Sequence, residues 1–241
     1  MSGNPVAAIT ARTSRIVWSR IAEQIDNLGY ALIPELLEVA ECAELIDLYP
    51  HRERFRSRVE MARMRFGVGE YKYFAAPLPP LVQALRETLY PGVATIANVW
   101  MEALRREERF PATLDEFLQR CHTAGQTRPT PLMLRYAAGG YNCLHQDLYG
   151  AIAFPLQFTI MLNRPDRDFS GGEFLLLEQR PRAQSKAEAV RLEQGTAILF
   201  PGHVRPVPGR RGSSRLNVRH GVSRIHAGVR FTLGIIFHDA S

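Results

Sequence analysis

The stretch Tyr141-Asn-Cys-Leu-His145-Gln146-Asp147 decides how the whole sequence reads. Alternate side chains of a strand share a face, so the imidazole of His145 and the carboxylate of Asp147 can reach one metal ion. A third ligand must come from elsewhere, and a later strand is its natural source. Two histidines and one carboxylate on one face suit Fe(II) and leave three of its positions open. Downstream, His220 ends one expected strand and Arg230 begins the next. A hairpin between them would carry both side chains to one pocket. There the arginine can grip the far end of a dicarboxylate as a bidentate pair. Thr232 shares the face of Arg230 and can add a hydroxyl hydrogen bond. The rival histidines are weaker candidates. His203 lies in a polar loop, His226 sits near the hairpin tip facing solvent, and His238 reads as structural at the end of the last strand.

Outward from this stretch, the second half of the chain reads as strands. They are expected at Pro131–Ala137, Leu156–Leu162, Glu173–Glu178, Ala189–Leu192, Ala197–Phe200, Ser214–His220 and Arg230–Phe237. Turn clusters such as Asn163-Arg164-Pro165-Asp166 and Ser170-Gly171-Gly172 separate them. No helix pattern follows Gly171-Gly172, so the pair reads as a turn and not a phosphate cradle. The polar segments Gln179–Lys186 and Pro201–Ser214 read as loops. Many short strands with few helices between them point to an antiparallel sandwich or jelly roll.

The first half reads as helical. Ser14 is placed to cap a helix whose apolar positions Ile16, Val17, Ile21, Ile25 and Leu28 precede Gly29. Further helices are expected over Val39–Tyr49 and Leu81–Tyr90, then from Pro91 to Arg106, and after the capping-box spacing Thr113-Leu-Asp-Glu116, with Gly125 ending the last.

Composition bounds the class. The chain has 241 residues with 46% hydrophobic and 22% charged, which fits a globular domain and excludes whole-chain disorder. No apolar run is long enough for a membrane helix, and the first residues lack the apolar core of a secretory signal. Cys42, Cys121 and Cys143 are widely spaced, which fits a reducing cytoplasmic location and no disulfide framework. Cys143 shares the strand parity of His145 and reads as a small buried residue. The net charge is +6, with 28 arginines against Lys72 and Lys186. Two basic runs are candidate phosphate contacts or simply solvated charge: Arg63, Arg65 and Lys72, in an aromatic-rich stretch that reads either as a loop over the substrate or as a solvated connection with anchoring aromatics, and Arg205, Arg210, Arg211 and Arg215.

These residues resemble the iron(II)/2-oxoglutarate-dependent dioxygenases, within their prolyl-hydroxylase-like branch. The resembling motifs are Tyr136 and Tyr141 ahead of His145-Gln146-Asp147, then Gly171-Gly172-Glu173-Phe174, Gly195-Thr-Ala-Ile-Leu-Phe200, His220 and Arg230. The gaps of 73 residues from Asp147 to His220 and 10 from His220 to Arg230 suit that branch. More narrowly, Tyr141–Gly150, Glu178-Gln-Arg-Pro181 and Leu233–Asp239 resemble a bacterial subfamily described as nucleic-acid oxygenases acting on alkyl-damaged DNA. The resemblance spans Leu132 to Asp239, under half of the chain.

It implies a mainly β fold with N-terminal helices. A double-stranded β-helix (a jelly roll) over 128–241 would be buttressed by a helical region over 1–127, in one domain over 1–241. It implies Fe(II) on His145, Asp147 and His220, with O2 and the cosubstrate 2-oxoglutarate. Arg230 would pair with the cosubstrate's 5-carboxylate, helped by Tyr136 and Thr232, with Tyr141 as the alternative tyrosine. The implied substrate is an alkylated base in nucleic acid. The alternatives are a protein side chain, amino acid or small metabolite, and, from another class, a non-catalytic jelly-roll binding module. No membrane partner is expected.

Overall fold

Helix α1 (Pro5–Thr13) precedes α2 (Trp18–Leu28), so Ser14 caps nothing; its hydroxyl donates back to the Ala11 carbonyl. In this computed structural model, which describes residues 5–147, 150–180, 182–209 and 212–241, α2 buries Ile21 and Ile25 and ends at Gly29. Gly29 has φ +86°, a left-handed cap that glycine adopts without strain. Helix α3 spans Val39–Leu48.

The two helices expected around Pro91 are one, α4 (Pro80–Ala103), with Pro91 inside it. An interior proline costs about 3 kcal/mol. The face that buries Leu85, Leu89, Val93, Ala97 and Met101 outweighs it, at roughly 1.5–3 kcal/mol for each large side chain. Helix α5 (Leu114–Thr123) starts as expected, with Thr113 Oγ1 accepting the Glu116 N–H.

Among the described residues there are fourteen strands: β1 (Ala31–Ile33), β2 (Phe55–Glu60), β3 (Gly67–Val68), β4 (Glu70–Phe74), β5 (Leu132–Ala137), β6 (Tyr141–His145), β7 (Leu156–Met161), β8 (Phe169–Gly171), β9 (Phe174–Gln179), β10 (Lys186–Val190), β11 (Ala197–Pro201), β12 (Val204–Gly209), β13 (Gly212–Val222) and β14 (Ile225–Ile235). They pair antiparallel in two sheets. The larger runs β1-β11-β7-β14-β5-β4-β2, with β8 on β14. The smaller runs β10-β9-β13-β6-β3, with β12 on β13. This is the jelly roll.

Three further expectations need correction. The first half is not purely helical, because β1 to β4 join both sheets. The loop expected over Pro201–Ser214 contains β12, whose Val204, Arg205 and Val207 are buried. Its prolines obscured it, and prolines fit only an edge strand such as this one. Finally, β13 and β14 form no hairpin with each other. The chain crosses at Ser223-Arg224 from the smaller sheet to the larger. His220 and Arg230 therefore approach one space from opposite walls.

The strand period sorts the core into two layers. In β11, Ala197 and Leu199 join the cluster under the helices, with Trp100, Tyr90 and Phe117. Ile198 and Phe200 face the space between the sheets, with Tyr136, Phe174 and Val218. Across the helix-facing layer, the Arg86 guanidinium donates to the carbonyls of Ile236 and Phe237 and to Asp239 at 2.7 Å. That bond set fastens α4 to the end of the last strand.

Candidate metal centre

His145 closes β6, and His220 stands directly opposite it on β13. Asp147 lies two residues past the strand end. Its N–H donates to the Gly202 carbonyl at 3.0 Å, and Gln157 on β7 donates to its Oδ2 at 2.6 Å. Gln146, between the two, donates to the carbonyls of His203 and Val218. Ligand atoms of His145, Asp147 and His220 all lie within 4.8 Å of one another. This is the three-residue cluster the sequence expected. His226 is exposed, and His238 is buried with Nδ1 accepting the Phe154 N–H. Neither they nor the half-buried His203 reaches it.

The donor atoms are prepared for a cation. His145 Nδ1 is 2.8 Å from the Cys143 carbonyl. A carbonyl only accepts, so Nδ1 carries the proton and Nε2 keeps its lone pair. That Nε2 lies 3.6 Å from Asp147 Oδ1, and His220 Nε2 lies 3.2 Å from Asp147 Oδ2. Burial alone would raise the Asp147 carboxyl. The two imidazoles and the Gln157 amide outweigh it and hold the group well below the usual carboxylate range. Burial, followed by the neighbouring His220, lowers His145, which favours its neutral form. The ring of His220 packs on Phe200 and Phe174.

These residues line a cavity of about 170 Å³ between the sheets. Arg230 enters it from β14, fully buried, and among the described residues none of its three guanidinium nitrogens has a hydrogen-bond partner. Burial pulls its pKa down to about 10, partly offset by Tyr136 and Glu173, so it remains a cation at neutral pH. An isolated buried charge costs several kcal/mol. Tyr136 sits opposite Arg230 in register on β5. Its buried hydroxyl faces Asn142 without a hydrogen bond of normal geometry, and burial raises its pKa, so it stays a donor. Thr232 lines the same cavity. Tyr141 does not. It is half-buried outside, beneath the Arg224 guanidinium at 5.6 Å.

The cavity wall includes Met61, Phe66, Tyr71 and Tyr73 from the first half of the chain. The aromatics of the expected covering loop do border the site, but as strands β3 and β4 and the turn before them. Of its cations, Lys72 is withdrawn from solvent, whereas Arg63 and Arg65 stay exposed. Lys72 is buried, donating to the Tyr49 carbonyl at 2.7 Å, and Arg63 pairs with Glu60. Arg205 is also buried, paired with Glu178 at 2.6 Å. Arg210 and Arg211 lie outside the described residues. Cys143 is exposed, not buried, and contributes its carbonyl to His145.

Sequence reasoning missed Gln157. A lone amide in the apolar strand Leu-Gln-Phe-Thr-Ile-Met was the available signal, since a buried polar group needs a partner.

A family model described as "Oxygenase, catalysing oxidative methylation of damaged DNA" matches residues 69–240. The chain belongs to this oxygenase family. Two uncharacterized proteins of Mycobacterium tuberculosis, from strains CDC 1551 / Oshkosh and ATCC 25618 / H37Rv, are each 50% identical to this oxygenase over 168 residues. That stretch is 70% of this chain and 72% of each relative. Solved structures share the fold at low identity. A 2OG-Fe(II) oxygenase family oxidoreductase from Burkholderia pseudomallei is 15% identical with a TM-score of 0.51, covering 94% of both chains. A Trichoplax adhaerens prolyl hydroxylase, solved with a hypoxia inducible factor peptide fragment, is 15% identical with a TM-score of 0.53. It covers 97% of this chain and 93% of its own.

Proposed function

We propose that this oxygenase depends on Fe(II) and 2-oxoglutarate and oxidises an alkylated base in nucleic acid. One observation carries the cofactor reading. A two-histidine, one-carboxylate cluster shares a cavity with a buried guanidinium that has no anion of its own. His145, Asp147 and His220 fit Fe(II) in ligand type, with one carboxylate and one prepared imidazole shown by their bonding. Bound there, the iron would supply oxygen activation and C–H oxidation, coupled to conversion of 2-oxoglutarate to succinate.

The chain's own residues do the positioning. Arg230 pairs with the cosubstrate's 5-carboxylate, which neutralises the buried charge. Tyr136 and Thr232 add hydroxyls beside it. Gln157 holds one oxygen of Asp147 in place, and the Cys143 carbonyl fixes the tautomer of His145. Phe66, Phe174 and Phe200 give the cavity an apolar wall.

The family description supports the substrate reading. Hydroxylation of an N-alkyl carbon gives a product that releases an aldehyde and leaves the bare base. No helix among the described residues is long and apolar enough to cross a membrane. The three unpaired cysteines fit a reducing cytoplasm.

The test is succinate release from 2-oxoglutarate with Fe(II), measured across methylated and unmethylated oligonucleotides, peptides and amino acids. Turnover stimulated by methylated oligonucleotides supports the whole reading. Stimulation by a peptide or amino acid alone overturns the substrate and keeps the cofactors. Unchanged metal affinity after His220→Ala overturns the ligand set.

A further inference from the structure

Apart from Arg230, His145, Asp147 and His220, no described residue lining the cavity carries a charged side chain. With the cosubstrate on Arg230 and a metal on the cluster, nothing on the wall is left to pair with a charge on the substrate. A free amino acid would bring an ammonium and a carboxylate into that space, and burying either unpaired is costly. The wall instead turns aromatic with distance from Arg230. On the larger sheet Arg230 faces Tyr136, Thr232 faces Leu134, and Gly234 faces Leu132. Leu134 pairs onward with Tyr71 and Leu132 with Tyr73. Both tyrosines line the cavity, edge to face with ring centres 5.5 Å apart.

Phe66 supplies a third ring, from the turn that leads into β3 at the edge of the smaller sheet. It lines the same cavity yet is 38% exposed, which places its ring at the mouth. Its backbone is pinned on both sides. Its N–H donates to the Met61 carbonyl at 3.0 Å, and its carbonyl accepts the Cys143 N–H at 2.8 Å. Arg65 turns the chain before it at φ +60°. Gly67 follows at φ +133°, where a β-carbon would run into the Tyr141 carbonyl. Cys143 is also the residue whose carbonyl takes the Nδ1 proton of His145. The two backbone groups of one residue therefore fix both Phe66 and a metal-ligand candidate. A ring held in this way gives up little further freedom when a ligand covers it.

We propose that Phe66 is the platform on which the target base stacks, with Tyr71 and Tyr73 completing an aromatic mouth around it. This rests on the nucleic-acid reading above and assigns the residue that receives the base. Every base presents a π-face, so stacking holds a purine or a pyrimidine without reading sequence. A base leaving a duplex loses its stacked neighbours, and the Phe66 ring replaces one of them. The ring carries no charge and no hydrogen-bonding group, so its contribution is to binding and placement of the base beside the metal cluster.

The experiment measures succinate release with Fe(II) and 2-oxoglutarate, stimulated by single-stranded DNA methylated with dimethyl sulfate. Phe66→Leu keeps apolar bulk and removes the ring. It should raise the half-saturating DNA concentration about 5- to 150-fold, the usual worth of one base on one aromatic ring. Phe66→Tyr keeps the ring and should restore the wild-type value. Both variants should keep wild-type affinity for Co(II), measured directly, which shows that the metal cluster is folded. Met64→Ala removes a side chain of the same turn that is 56% exposed and does not line the cavity, and it should leave the DNA dependence unchanged. A wild-type DNA dependence in Phe66→Leu overturns the platform and leaves the nucleic-acid reading standing. So does an equal loss in Phe66→Leu and Phe66→Tyr, or in Phe66→Leu and Met64→Ala. Wild-type turnover that methylated DNA does not stimulate overturns the nucleic-acid reading, and the platform with it.

Discussion

Arg86 and Arg230 are both arginines almost wholly removed from solvent, at 2% and 0% exposure, yet their surroundings are opposite. Arg86 donates to two backbone carbonyls and to Asp239. Among the described residues, Arg230 donates to nothing. A fully satisfied buried charge is a fastening, whereas one left without partners beside the His145, Asp147 and His220 cluster is the one we propose pairs with the cosubstrate. The contrast separates structure from chemistry without reference to any relative.

The sharpest way to break that contrast is to truncate both arginines. Arg86→Met should leave the Asp239 carboxylate buried, with His122 as its remaining ion-pair partner among the described residues. A loss of about 3–5 kcal/mol is expected, read as a large fall in Tm. Arg230→Met should do the reverse. The apo protein should keep or gain stability, because an unpaired charge has gone. The 2-oxoglutarate requirement should rise by about 2–5 kcal/mol in binding, with metal affinity nearly intact. If Arg230→Met unfolds the protein as Arg86→Met does, the contrast is false.

Acid sharpens it from the Arg86 side. Burial, then Arg86, pushes His238 down to about 4 from its ordinary 6.5. The folded state therefore takes up a proton less readily than the unfolded chain. Stability is complete above pH 6.5 and is lost as pH falls toward 4. About 3 kcal/mol is at stake from this group. Urea denaturation across that window should show the slope, and His238→Gln should flatten it. The smallest expected effect belongs to Gln157→Leu. Removing the partner of the Asp147 oxygen should weaken Co(II) affinity about 10- to 100-fold while Tm barely moves.

The metal cluster was legible because HxD spacing, a distant histidine and a downstream arginine each carry a chemical meaning in the bare sequence. Their placement was less so. His220 and Arg230 were expected on one hairpin, but Ser223-Arg224 carries the chain between sheets. The side-chain parity that a hairpin implies survives that crossing, so the right residues met for a different reason. Pro91 was taken as a boundary because local propensity forbids it, whereas burial of the whole α4 face overrides propensity. Phe55–Glu60 alternates too weakly in hydrophobicity to announce a strand, and only pairing with β4 makes it one. Gln157 required knowing what lay opposite it.

The pairing of β4 with β5, Glu70 through Tyr73 against Leu132 through Arg135, has a practical consequence for anyone shortening this chain. A polypeptide begun at Arg128 would retain all three metal-binding candidates and lose the strand that covers β5. One side of Leu132–Ala137 would then present bare N–H and C=O groups beside the apolar side chains of Leu132 and Leu134. Such an edge templates pairing with other copies. The shortened protein should be recovered as aggregates, with its cavity opened where Tyr71 and Tyr73 had stood.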